Sequence, residues 1–261
     1  MILDKIAQDT KLRVAKAKAK VSLNEIKEQA LKLPANTAFL FEQKLKTDAI
    51  QFICEVKKAS PSKGIIAQEF DYLKIAQEYE AAGATAISVL TEPNFFMGSD
   101  KYLQEIRQKV TTLLLRKDFT IDPYQIYEGK VLGADIILLI AALLAEKQLK
   151  EYIEIADSLG LSVIVEVHDE QEMAMAIAAK ARIVGVNNRN LKDFTVDINN
   201  SLRLRELAPQ EIAFIAESGI TSRQDIETLL ANKVNGVLIG ETLMRSSDKR
   251  EMLDKLRGIT T

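Results

Sequence analysis

From about residue 50 onward the chain alternates between short apolar runs and longer amphipathic stretches, and it does so eight times. The runs are IQFICEVK, ATAISVLT, TTLLLRKD, ADIILLIA, LSVIVEVH, ARIVGVNN, EIAFIAES and VNGVLIG. Most are apolar on both faces. Strands of a parallel sheet read this way when helices cover one side and a core fills the other. Their ends fall near Lys57, Leu90, Arg116, Ile140, Val167, Asn188, Glu217 and Gly240. Intervals between successive ends run from 21 residues (167 to 188) to 33 (57 to 90), room for a crossover helix each time. Tyr72 to Ala82 and Lys147 to Leu159 carry apolar residues at three- and four-residue spacing. Gly83 and Gly160 follow them, where a helix-ending glycine belongs. Eight such units favour closure into an α/β fold, the (β/α)8 or TIM barrel. An open doubly wound sheet is the alternative, but no glycine-rich dinucleotide turn follows the first run.

A chain of 261 residues, 47% hydrophobic, has the length and apolar content of one such barrel. We expect a single domain over residues 1–261, with a helical extension at 1–48 and the barrel at 49–261. The extension reads as two helices, Leu3 to Lys20 and Leu23 to Leu33. Lys5, Lys11, Arg13, Lys16, Lys18 and Lys20 make the first one basic. That face is either simply solvated or part of a lid that adds positive potential at the barrel mouth. Overall, 35 Lys and Arg against 37 Asp and Glu leave no basic excess, so no nucleic-acid partner is expected. The one cysteine, Cys54, allows no internal disulfide and no cysteine metal cluster, and it fits a reducing cytoplasm. The longest apolar run, Ile136 to Ala145, is far short of the roughly 20 residues that span a membrane. Neither a targeting segment nor a membrane partner is expected.

The informative residues are polar ones that interrupt the apolar runs near their carboxyl ends, where barrels carry their catalytic groups. Glu55 and Lys57 end the first run, and Lys117 follows the third. Glu166, Asn187 and Glu217 end the fifth, sixth and seventh. Residues two apart in a strand share a face, so Ile53, Glu55 and Lys57 point one way and Cys54 the other. If Glu55 faces the barrel axis, Cys54 packs among the helices. Each charge alone could be a solvated loop residue or a structural ion pair. Six such positions converging on one rim must pair with one another or meet a ligand, because unpaired buried charge is costly. Acids and lysines sharing one cavity also push each other's pKa values apart, which acid–base chemistry needs.

A second signal follows the seventh and eighth runs. Glu217-Ser218-Gly219-Ile220 leads to Thr221 at a helix start, and Gly240 leads to Glu241. Small residues there let backbone N–H groups approach a phosphate, and a helix N-terminus adds a favourable dipole. The single histidine, His168, reads as an exposed strand-end residue. Phe95 and Phe96 are core, or, for Phe96, a stacking wall for an aromatic substrate.

The motifs ICEVKKASPSKG, LTEPNFFMGS, LLRKDF, IVEVHDE, VGVNNRNL, AESGI and VLIGETLM resemble, in that order, the indole-3-glycerol-phosphate synthase family over nearly the whole chain. The resemblance implies a carbon–carbon lyase of tryptophan biosynthesis. Its substrate would be 1-(2-carboxyphenylamino)-1-deoxyribulose 5-phosphate. Ring closure, loss of carbon dioxide and loss of water would give indole-3-glycerol phosphate, without metal or organic cofactor. It implies that Lys117 is the acid for closure and Glu166 the base in dehydration. Lys57 would contact anionic groups of the substrate and serve as a second acid, and Glu55 would orient and tune the lysines. The assignment of individual steps to the two lysines stays open. Asn187 and Arg189 would position the substrate. Ser60, Ser62, Phe96 and Phe119 would line its aromatic end, with Leu191 also in contact. Ser218, Gly219, Gly240 and Glu241 would hold the phosphate. Members with a small hydroxyl residue in place of Glu241 avoid a carboxylate beside that phosphate. A cytoplasmic monomer, open to docking on other enzymes of the pathway, is expected. Two rivals share the fold: a sister barrel isomerising a phosphoribosyl substrate, and a non-catalytic phosphate-ligand sensor that would keep only the turns after the seventh and eighth runs. Neither needs Glu55, Lys57 and Lys117 together.

Overall fold

A computed structural model describes residues 2–190 and 193–259. Eight parallel strands close into a barrel: β1 (Gln51–Val56), β2 (Ala86–Leu90), β3 (Leu113–Lys117), β4 (Ile136–Ile140), β5 (Ser162–Val167), β6 (Ile183–Asn187), β7 (Ala213–Glu217) and β8 (Gly236–Ile239). Each expected run holds one strand. Lys57 lies one residue beyond β1, and Lys117 is the last residue of β3 rather than the one after it.

The helices in chain order are α1 (Ile2–Lys20), α2 (Leu23–Leu31), α3 (Leu40–Leu45), α4 (Tyr72–Ala81), α5 (Asp100–Arg107), α6 (Pro123–Val131), α7 (Glu146–Ser158), α8 (Glu170–Ala178), α9 (Asn199–Arg205), α10 (Arg223–Ala231), α11 (Glu241–Arg245) and α12 (Lys249–Arg257). Side-chain oxygens of Asp71, Ser99, Asp122, Asp169, Ser222 and Asp248 cap α4, α5, α6, α8, α10 and α12 by accepting first-turn N–H groups. Gly83 and Gly160 end their helices with φ of 75° and 69°. No helix among the described residues is long and apolar enough to cross a membrane.

Strand parity divides the core in two. Ile53, Leu115, Ile164, Ile183 and Ile215 fill the barrel interior, while Cys54, Val163, Val165, Val184 and Val237 pack outward among the helices. Cys54 is therefore core, and burial pushes its thiol up to about 12.

The extension differs from expectation. It holds three helices, not two, and the second ends at Leu31. The third, α3, is too short to show a helical period in sequence. Its Phe41 and Leu45 are fully buried in the interior cluster, where Leu45 comes within 3.0 Å of a Cβ built on Gly236 at the start of β8. Burying each such side chain stabilises the fold by roughly 1.5–3 kcal/mol. The first helix buries Leu3, Ile6, Thr10 and Val14. Its basic residues divide. Lys5, Lys11, Lys16 and Lys20 are exposed. Arg13 forms a two-pronged pair with Asp118 at 2.6 and 2.8 Å, and Lys18 meets Asp122 at 2.6 Å. Both partners follow β3, so α1 is fastened to the mouth rather than merely solvated.

Candidate active site

The parity that sends Ile53, Leu115, Ile164, Ile183 and Ile215 inward carries Glu55, Lys117, Glu166, Asn187 and Glu217 inward too, two or four residues farther along the same strands. Register then sets neighbours: Ile140 lies beside Glu166, Asn187 beside Glu217, and Leu90 beside Lys117. These side chains line a cavity of about 420 Å³ at the carboxyl ends of the strands. That volume lies in the usual range of roughly 300–1,000 Å³ for small-molecule sites. Leu138, Ile140 and Leu238 contribute apolar wall, and Ile2, Leu3 and Ile6 of α1 reach in from the extension.

Lys117 sits at the centre. Its Nζ is 3.0 Å from Glu166 Oε2 and 3.2 Å from Glu217 Oε2. Burial alone would favour the neutral amine, but the carboxylates of Glu166, Glu217 and Glu55 outweigh it and hold the ammonium well above the usual lysine range. Glu55 and Lys57 form a second pair at 2.5 Å. Glu166 and Glu217, 3% and 2% exposed, have opposite fates. For Glu166 burial acts upward, yet Lys117, His168 and a hydrogen bond from Asn187 Nδ2 (3.1 Å) bring the carboxyl below its ordinary value. For Glu217 burial prevails over Lys117, the Glu166 charge adds to it, and the carboxyl rises to about 7. One acid is thus kept ionised as a base while its neighbour holds a proton near neutrality, a division that marks acid–base sites.

Two glycines make room for this cluster. A Cβ on Gly185 would stand 2.4 Å from Glu217 Oε1, and one on Gly240 would stand 2.4 Å from Glu55 Oε1 and 2.7 Å from Lys57 Nζ. Gly240 therefore clears space for the Glu55–Lys57 pair, besides baring its own backbone.

The rim after β7 and β8 is built differently. Ser218 and Gly219 take successive left-handed conformations, φ 67° and 82°, which turn the chain sharply at the cavity wall. The next helix begins at Arg223, capped by Ser222, not at Thr221. The N–H groups of Thr221 and Ser222 already donate to Asp225 Oδ2, both at 2.9 Å. After β8, the first-turn N–H groups of α11 lack intrahelical partners, as in every helix. Glu241 accepts from Arg245 Nε of its own helix at 3.0 Å and lies 3.7 Å from Lys63 Nζ of the hairpin after β1, so two cations face its carboxylate.

Aromatic and loop residues complete the wall. Phe96 and Phe119 stand with ring centroids 5.8 Å apart at 38°, both against the cavity. Phe96 is fixed by Glu92, which accepts the N–H groups of Asn94, Phe95 and Phe96. Ser60 and Ser62, 3.4 Å apart, lie in the short hairpin after β1. Arg189 is partly buried and donates to the Phe194 carbonyl at 3.2 Å. Leu191 lies outside the described residues. Every other sequence-predicted site residue borders this one cavity.

His168 corrects its expectation. Its side chain is 17% exposed, not free, with Nδ1 3.1 Å from Glu172 Oε2 and Nε2 3.4 Å from Glu166 Oε1. Burial favours the neutral ring, but Glu172 and Glu166 prevail and raise its pKa. Sequence reasoning also missed Lys63, Arg245 and Asp118 on the cavity wall. The four-residue spacing of Glu241 and Arg245 was the available signal for one of them.

Comparison with known proteins adds the following. A family model described as indole-3-glycerol phosphate synthase matches residues 3–256. An indole-3-glycerol phosphate synthase of Ruminiclostridium cellulolyticum is 60% identical over 258 residues, covering 99% of each chain. That of Endomicrobium trichonymphae is 54% identical, covering 98% of this chain and all of its own. Among solved structures, a 3-hexulose-6-phosphate synthase from Salmonella typhimurium superposes with a TM-score of 0.66 at 13% identity, over 80% of this chain and 98% of its own. A thiamine phosphate pyrophosphorylase from Pyrococcus furiosus gives 0.60 at 18%, over 82% and 96%. These two likenesses speak to the barrel alone.

Proposed function

The chain belongs to the indole-3-glycerol phosphate synthase family, and on that premise we propose how its barrel mouth performs the reaction. The enzyme converts 1-(2-carboxyphenylamino)-1-deoxyribulose 5-phosphate into indole-3-glycerol phosphate, a step of tryptophan biosynthesis. One observation carries the assignment of roles: the largely enclosed ammonium of Lys117, its side chain 14% exposed, is held between an ionised carboxylate and one poised to protonate.

The phosphate binds at Ser218, Gly219, Gly240 and Glu241 through backbone N–H groups. Lys63 and Arg245 stand close by to offset its charge. The aromatic ring lies against Phe96 and Phe119, with Ser60 and Ser62 at its edge, and Arg189 pairs with its carboxylate. Leu191 adds contact. As the ring carbon bearing the carboxylate attacks the ribulose carbonyl, Lys117 protonates the carbonyl oxygen. Carbon dioxide leaves and the ring regains aromaticity without any proton being moved. Lys57, steadied by Glu55, then protonates the hydroxyl, which departs as water while Glu166 removes a proton from the adjacent carbon. Asn187 holds Glu166 in line, and Glu217, its carboxyl raised to about 7, takes up a proton readily and so limits the negative charge of the centre beside a dianionic phosphate. Two protons are given and one is taken back. Each turnover therefore consumes one proton, because a carboxylate leaves as neutral carbon dioxide.

We also read residues 1–261 as one domain, 1–48 extending a barrel at 49–261. The protein would work as a cytoplasmic monomer, since all these groups come from one chain and the buried Cys54 fits reducing conditions. Docking on other enzymes of the pathway would then use its outer helices. The test of function is direct: supply the carboxyphenylamino substrate to the folded protein and follow indole fluorescence. Product formation is expected, and its absence would remove the assignment.

A further inference from the structure

A second cavity, of about 600 Å³, lies beside the first and shares Leu3, Asn187 and Arg189 with it. His168 and Glu172 line only this outer cavity. His168 reaches inward to Glu166 Oε1 at 3.4 Å and touches Glu172 Oε2 at 3.1 Å on its other ring nitrogen. We propose that His168 and Glu172 form the relay through which the buried reaction centre draws, from the outer cavity, the proton that each turnover consumes.

The need for such a route follows from the reaction proposed above, on which this inference rests. With substrate in the first cavity and α1 across it, Glu166 has almost no contact with water; even empty it is 3% exposed. The substrate returns only one of the two protons the lysines give. Imidazole is the side chain that both accepts and donates at physiological pH. Here its two nitrogens lie between an inner and an outer carboxylate. Its backbone is held too: the His168 N–H donates to Glu172 Oε2 at 2.7 Å, and its carbonyl accepts from Asn200 Nδ2 at 3.1 Å. Nε2 is buried and makes no regular hydrogen bond among the described residues, and the Glu166 carboxylate lies 3.4 Å from it.

In the step, the Nε2 proton passes to Glu166 Oε1 while Nδ1 takes one from a water at Glu172. Glu166 hands two protons in turn to Lys117 at 3.0 Å, the one taken from the substrate and the relayed one. Lys117 passes one of them through Glu55 to Lys57, 2.5 Å from that carboxylate. The ring resets by rotating, and the hydroxide left at Glu172 is neutralised from solvent in the outer cavity, so the net change is the one proton consumed. The charged groups that bear on the ring are Glu166 backed by Lys117, Glu217 from β7, Glu172 and Asp169 at the start of α8, and Arg189 and Arg203 across the outer cavity. Asn187 borders both cavities without a charge.

The test uses the full chain and the carboxyphenylamino substrate, with His168→Asn and Glu172→Gln compared with wild type. For His168→Asn we expect kcat to fall roughly 10²-fold with KM nearly unchanged. Added imidazole should restore much of the rate, and the pH profile of kcat should lose the limb set by this group. Glu172→Gln should fall less and become dependent on buffer concentration. A His168→Asn enzyme with wild-type kcat overturns the relay, as does a lowered kcat that imidazole leaves unmoved. If His168→Asn does not fold, Glu172→Gln decides: buffer-dependent turnover supports the relay, and wild-type turnover without buffer dependence overturns it. Failure of the wild type to make product would instead count against the reaction itself.

Discussion

Gly185 on β6 has no side chain to offer, yet replacing it with alanine should cripple turnover. The added Cβ would stand 2.4 Å from Glu217 Oε1 and 2.9 Å from Ile164 Cγ2. Ordinary contact begins near 3.4 Å, so the Glu217 carboxylate must move by about 1 Å. The carboxylate lines the cavity and is held 3.2 Å from Lys117, so the shift is made at the expense of that contact. The ammonium then loses one of its two partners and shifts with it. A misplacement of about 1 Å at a reacting group costs on the order of 10²-fold. Overpacking itself costs roughly 1–3 kcal/mol, and at about 2–4 °C per kcal/mol for a chain of this size Tm should fall by roughly 2–12 °C. The assay is steady-state indole formation: kcat down about 10²-fold, KM changed little. A double variant supplies the control. Gly185→Ala should cost far less in an enzyme already carrying Glu217→Ala, because the two residues share one cause. Wild-type kcat in Gly185→Ala, or strictly additive losses, would refute the reasoning.

Three further outcomes are expected. Glu166→Gln should stop the reaction after closure and decarboxylation, with the hydroxylated intermediate accumulating in quenched single-turnover samples; undiminished product would contradict this. Arg13→Ala should cost about 1–3 kcal/mol at neutral pH, since it strips the main partner from buried Asp118. The Asp118 carboxyl is held below its ordinary value: burial opposes this, and Arg13 and Arg116 overcome it. Its contribution is therefore present above the unfolded value of about 3.9 and is lost as pH falls through the folded one. The difference between variant and wild type in urea unfolding should shrink in acid, and a pH-independent difference would count against it. Glu217 has the opposite sign, being raised to about 7. Its favourable contribution is complete below the unfolded value of about 4.3 and is lost as pH rises through the folded value. Glu217→Gln should therefore gain thermal stability relative to wild type between about pH 5 and pH 8; a constant offset in Tm would speak against a buried, raised carboxyl.

Much of this was legible from the residue pattern, because a parallel barrel repeats one signal eight times. Strand parity placed Glu55 inside and Cys54 outside, and it holds for Lys117, Glu166, Asn187 and Glu217 alike. What escaped were contacts between residues distant in sequence. Six residues of α3 show no periodicity, and only the closed barrel end explains Phe41 and Leu45. Nothing local marks Arg13 as the partner of Asp118, 105 positions away. His168 looked solvated because a strand end usually is, whereas its neighbours Glu166 and Glu172 close around it. Gly185 drew no reading from the sequence, and Gly240 only one as bared backbone for a phosphate; the carboxylates opposite them show what else both make room for.

The central claim is that Lys117, poised between Glu166 and Glu217, is the acid of ring closure. The most direct measurement is a single-turnover reaction comparing Lys117→Ala with wild type, with folding checked by circular dichroism. A folded variant should close the ring some 10²–10⁴-fold more slowly, accumulating no decarboxylated intermediate. Closure at the wild-type rate in that variant would contradict the claim.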